Sequence, residues 1–158
     1  MLDRVSIDQR PNIGEETSRV GDWEGDTVES AGKNAYIATF VDRKTKLLLA
    51  QLMPDKRATT LNKAAIRAFR QIPAPMRNTL TLDNGKEFAA HKSLSQALAL
   101  DIYFAHPYHS WERGLNEHTN WLLRQYLPKK IPFDTLTPLP KNSLTKLLLK
   151  SIIGLARF

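Results

Sequence analysis

A chain of 158 residues, 42% hydrophobic and 25% charged, has the length and profile of one globular domain. With no cysteine it has no disulfide, thiolate metal site or cysteine nucleophile, and it suits a reducing cytoplasm. The net charge of +7 favours polyanionic partners, and no apolar run has the length of a membrane span or a signal-peptide core, so no membrane attachment is expected.

Residues 1–20 read as an irregular lead-in broken by Pro11 and Gly14. Three strand-like segments follow: DWEGDTVE after Gly21, then Ala35–Asp42, then Lys46–Met53. The short polar connections SAGKN and RKT make them an antiparallel meander. Past Pro54, the residues Ala58, Leu61, Ala64, Ala65, Ala68, Phe69 and Ile72 recur at helical spacing, which predicts a helix over 58–72 stopped by Pro73 and Pro75. Thr79–Leu82 is a short strand running into the turn Asp83-Asn84-Gly85. Glu87–Leu100 reads as a second helix, Ile102–Ala105 as a last strand, and Glu112–Tyr126 as a third helix ended by Pro128. The order β-β-β-α-β-α-β-α predicts an α/β fold with a mixed five-stranded sheet flanked by helices.

Three acidic residues stand out, each with a plain alternative. In DWEGDTVE, strand alternation puts Asp22, Glu24 and Asp26 on one face, and such a row also serves to keep an edge strand soluble. Asp83 ends a buried strand, where open α/β sheets carry their ligand sites, though Asp-Asn-Gly is equally good turn chemistry. Glu117 shares a helix side with Trp121 and Arg124, and taken alone reads as a solvated surface charge. As a set they suit phosphodiester chemistry, which uses two hard divalent cations about 3.5–4 Å apart to activate the attacking oxygen and stabilise the leaving one. Carboxylates gathered from separate elements repel each other, a penalty that bound cations reverse.

The stretches RVGDWEGDTVE, TLDNGKEF and YFAHPYHSWERGLNEHTNWLLRQYLPKK closely resemble the insertion sequence thirty family of bacterial transposases, from about Arg10 to Phe133. The resemblance implies a ribonuclease H-like catalytic core with Asp26, Asp83 and Glu117 as its DDE triad. The triad would hold two Mg²⁺ or Mn²⁺ ions, for cleavage and transfer of DNA strands at transposon ends and target DNA. It also implies a homo-oligomer when active, working in the bacterial cytoplasm at the nucleoid. Asn84, Gly85, Glu87 and Phe88 match the motif around the second Asp, with Gly85 expected to permit the backbone turn and Phe88 to anchor the next helix. Arg113, Arg124, Lys129 and Lys130 would contact DNA phosphates, which orient a duplex without reading its sequence.

Two departures from the family pattern set further expectations. The family's helix-turn-helix segment is not found ahead of the core, so specific recognition of terminal inverted repeats is expected to be weak or absent. The core is taken as 21–138, and the tail LPKNSLTKLLLKSIIGLARF over 139–158 departs from the pattern in a way that a frameshifted or truncated gene copy would explain. Leu144, Leu147, Leu148, Ile152 and Leu155 give that tail an apolar helix face. Trp121 is bulkier than the pattern leads one to expect and, one turn from Glu117, would crowd the site. Competing readings are a catalytically silent remnant that binds DNA through charge, and a ribonuclease H-type nuclease that cleaves RNA–DNA hybrids without joining. A zinc site at His106, His109 and His118 lacks cysteine and paired helical spacing, so loop histidines flanking an active site are the better reading. No serine stands in a nucleophile-elbow context.

Overall fold

Five strands build one sheet: β1 (Asp22–Glu29), β2 (Tyr36–Asp42), β3 (Leu48–Met53), β4 (Thr79–Leu82) and β5 (Asp101–Phe104), in the spatial order β3-β2-β1-β4-β5. The chain is described by a computed structural model over residues 3–12, 17–33, 35–107 and 114–126. Strands β1, β2 and β3 form the antiparallel meander read from their short polar connections, while β1–β4 and β4–β5 pair in parallel. Parallel neighbours need crossovers, which α1 (Ala58–Phe69) and α2 (His91–Leu98) supply.

Alternation along the strands gives the sheet two apolar faces. Trp23, Ala38, Phe40, Leu80 and Leu82 meet Leu61, Ala65 and Phe69 of α1 and Leu94 and Leu98 of α2 in the larger core. Within it Trp23 is fully buried, stacks edge-on against Phe69 with centroids 4.9 Å apart, and donates its indole N–H to the Met76 carbonyl. On the opposite face Val28, Ile37, Val41, Leu48 and Ala50 pack with Leu123 of α3 (Gly114–Tyr126). The sheet is therefore the middle layer, with α1 and α2 on one side and α3 on the other.

Several expectations need correction. β1 is the central strand, and Asp22 and Glu24 are 0% and 1% exposed, so the acidic row does not solubilise an edge. Asp22 is satisfied by Arg19 at 2.7 Å and by the Thr79 hydroxyl at 2.7 Å, and Glu24 by Arg43 at 3.4 Å. The first helix stops at Phe69, because the Arg70 and Ile72 N–H groups close onto the carbonyls three residues back. Ile72 still faces the core from that last turn, which is why its periodicity mimics a longer helix. The predicted helix over Glu87–Leu100 is a 3₁₀ turn at Lys86–Phe88 followed by α2, with Phe88 1% exposed in the core as expected. Strand entry into β1 uses Gly21 at φ +100°, a conformation few side chains tolerate. The tail over 139–158 lies outside the described residues.

Candidate active site

Asp26 and Asp83 come together through strand register. The parallel ladder of β1 and β4 pairs Glu24 with Thr81, and each acid stands two residues further along its own chain. Adjacent strands are about 4.8 Å apart, so Asp26, midway along β1, and Asp83, just past the carboxyl end of β4, stand beside one another. Both are half-buried. Asp26 Oδ1 accepts the Thr27 backbone N–H at 2.7 Å, and Asp83 Oδ1 accepts that of Gly85 at 2.8 Å. The second contact is the turn geometry that Asp-Asn-Gly predicts.

Helix α3 is fastened to the first acid. The Asn120 Nδ2 donates to Asp26 Oδ2 at 2.8 Å, and its Oδ1 accepts the Thr39 hydroxyl at 3.4 Å. Thr39 pairs with Asp26 across the β1–β2 ladder and also donates to the Asp26 carbonyl at 3.3 Å. Asn120 was not singled out in the sequence. Its signal is the three-residue spacing from Glu117, which repeats a helix face. Glu117 is in α3, but its side chain is outside the described residues, as are Arg113, Lys129, Lys130 and His109.

Arg124 is described, and its guanidinium donates to the Glu29 carbonyl at 2.5 Å, tying α3 to the end of β1. Burial holds its pKa below the usual arginine value, against the opposing charge of Glu29. Trp121 is 58% exposed and stacks on His118 at 6.1 Å, so the ring stands mostly in solvent. His106 pairs with Asp8 at 3.0 Å.

The turn after β4 is braced from two sides, by Arg4 and by the Ala105 carbonyl. Arg4 lies over the Phe104 ring at 4.6 Å and donates to Asn84 Oδ1 at 2.5 Å and to the Gly85 carbonyl at 3.2 Å. The Asn84 Nδ2 donates to the Ala105 carbonyl at 2.7 Å. Gly85 has φ −57°, which any residue adopts, so the expected role of backbone freedom is wrong. What Gly85 supplies is space: a Cβ there would stand 2.6 Å from the Glu87 carboxyl carbon and 2.8 Å from Asp83 Oδ1. Glu87 is almost fully buried, accepts the Thr27 hydroxyl at 3.1 Å, and pairs with Lys56 at 2.8 Å. The Lys56–Glu87 pair joins residues far apart in the chain, so no local motif marks it.

Two neighbouring carboxylates offer an all-oxygen donor set, the kind that hard divalent cations take. Among the described residues no group of three acidic or imidazole side chains closes around one ion. The pair therefore fits such a cation but needs a further ligand to complete its hold.

The integrase core domain family profile matches residues 17–110. The transposase for insertion sequence element IS4351 of Bacteroides fragilis is 44% identical over 134 residues, which are 85% of this chain and 41% of that protein. The transposase InsI for insertion sequence element IS30A of Escherichia coli strain K12 is 39% identical over 130 residues, 82% of this chain and 34% of its own. The chain thus spans less than half the length of these relatives. Among solved structures, the simian T-cell lymphotropic virus intasome in complex with PP2A regulatory subunit B56 gamma aligns with TM-score 0.63 and 22% identity, over 80% of this chain and 46% of that one. The catalytic core domain of BIV integrase aligns with TM-score 0.50 and 23% identity, over 61% of each. At those identities the structural likeness speaks to the fold, which is ribonuclease H-like.

Proposed function

This chain belongs to the integrase core domain family, and we propose that it is the catalytic core of an insertion-sequence transposase, with residues 21–138 as the catalytic unit. The observation that carries the reading is the juxtaposition of Asp26 on β1 and Asp83 just past the neighbouring β4, with α3 fastened to Asp26 through Asn120. Helical periodicity sets position 117 one turn before Asn120. Asp26, Asp83 and Glu117 are the proposed holders of two Mg²⁺ or Mn²⁺ ions. Bound there, such ions supply activation of the attacking oxygen and stabilisation of the leaving one.

The chain's own residues set the geometry for that chemistry. Thr27 N–H and Asn120 together orient both oxygens of Asp26, and Gly85 N–H orients Asp83. Fixing the carboxylates in advance removes reorganisation from the reaction step. The proposed reaction is displacement at phosphorus by water, then by a DNA 3′-hydroxyl, with no covalent enzyme intermediate. Arg113, Lys129 and Lys130, with Arg124 in a shared structural role, are the proposed phosphate contacts at transposon ends and target DNA. A homo-oligomer working at the nucleoid in the cytoplasm completes the proposal. Among the described residues no helix is long and apolar enough to cross a membrane.

Incubation of a transposon-end duplex with Mg²⁺ or Mn²⁺ tests the reading. The parent chain should nick and join the duplex, and Asp83→Asn should lower the rate by roughly a thousandfold, about 4 kcal/mol in the barrier. Equal rates for the two would refute the assignment of Asp83. Cleavage of RNA–DNA hybrids without any joining would instead favour a nuclease.

A further inference from the structure

Lys56 stands in the corner between β3 and α1, where a lysine ordinarily trails into water. Its ammonium instead reaches back 2.8 Å to Glu87 Oε1, with 45% of the side chain still exposed. The same oxygen accepts the hydroxyl of Thr27, the residue after Asp26, and the Glu87 carboxyl lies against Gly85 beside Asp83. Burial works against the charge on Lys56. The hydrogen bond to Glu87 and the charges of Glu87, Asp83 and Asp26 outweigh it and hold the pKa above the usual lysine value.

We infer that Lys56, held by Glu87, is a positioning residue that grips a DNA phosphate beside the Asp26–Asp83 pair. This rests on the proposed function as a DNA strand-transfer core. Three carboxylates at one end of the sheet repel a phosphodiester, and a cation at their rim offsets that repulsion. A lysine ammonium has three donors, of which Glu87 takes one. The two nearby guanidiniums are engaged elsewhere, Arg4 with Asn84 and the Gly85 carbonyl, Arg124 with the Glu29 carbonyl. A half-exposed ion pair contributes little to stability, while burying a carboxylate is costly, so folding alone explains the arrangement poorly. Anchoring the ammonium before DNA arrives limits the freedom lost when it grips.

The test is a salt titration of binding to a labelled transposon-end duplex in EDTA, where cleavage is silent, with a thermal melt of each variant. Lys56→Ala should reduce the slope of log affinity against log salt by about 0.9, the loss of one phosphate contact. Lys56→Arg should restore the slope, and Lys44→Ala, in the turn at the opposite end of the sheet, should leave it unchanged. A lowered melting temperature with an unchanged slope in Lys56→Ala would show a purely structural ion pair and overturn the inference. A slope that Lys56→Arg fails to restore would overturn it as well. A parent chain that does not bind the duplex would refute the strand-transfer reading itself, a result distinct from either of these.

Discussion

Asp26 has both carboxylate oxygens occupied within the protein, one by its neighbour's N–H and one by Asn120, so its orientation is set before any ligand is present. Asn120→Ala should therefore lower strand cleavage by more than any loss of folded protein explains. The lost contact is a hydrogen bond to a charged group, about 1.5–3 kcal/mol, or roughly ten- to a hundredfold in rate if it acts wholly on the reaction. Parallel rate and melting measurements check this. Cleavage at the parent rate would show that Asp26 needs no such brace. That Asp26 and Asp83 are candidates was legible in the sequence because each sits in a local motif, DWEGD and TLDNGKEF. Asn120 and Lys56 were not, because their partners lie 94 and 31 residues away and meet only after helix and sheet have docked. Gly85 was recognised as special for the wrong reason. A turn motif suggests backbone freedom, whereas the collision with Glu87 depends on a side chain two residues on.

At the scale of elements, α3 is the part that links the second core to the site. Leu123 is fully buried against Val28, Ile37 and Val41, while Asn120 and Arg124 bind β1 from the same helix. Leu123→Ala should cost about 2–5 kcal/mol, as for other large-to-small changes in cores. It should also weaken cleavage beyond what the unfolded fraction explains, since the helix that braces Asp26 loses its anchor. A melt combined with rates measured well below the transition separates the two effects, and a rate in proportion to the folded fraction alone would refute the link. Element types and order were readable from periodicity and turn residues, and the meander from its short connections. The helix ends were not. Ile72 keeps the apolar rhythm from a turn outside α1, and Phe88 fills the core from a 3₁₀ turn ahead of α2.

For the whole molecule, the order β3-β2-β1-β4-β5 puts the strands bearing both aspartates at and next to the centre of the sheet, where packing on two sides limits their movement. A rigid scaffold of that kind suits a site whose like charges repel until cations arrive. The net charge of +7 favours a polyanion at the molecule as a whole, while the proposed acidic site would take cations of its own. Strand order itself was beyond the reach of sequence pattern. Alternation shows which residues share a face, but not that β4 pairs beside β1. The direct measurement is a calorimetric titration of Mn²⁺ into the parent chain and into Asp26→Asn, Asp83→Asn and Glu117→Gln. Saturable binding to the parent, lost or greatly weakened in each folded variant, is the expected result. Variants that bind Mn²⁺ as the parent does would contradict the assignment of these acids as the metal site.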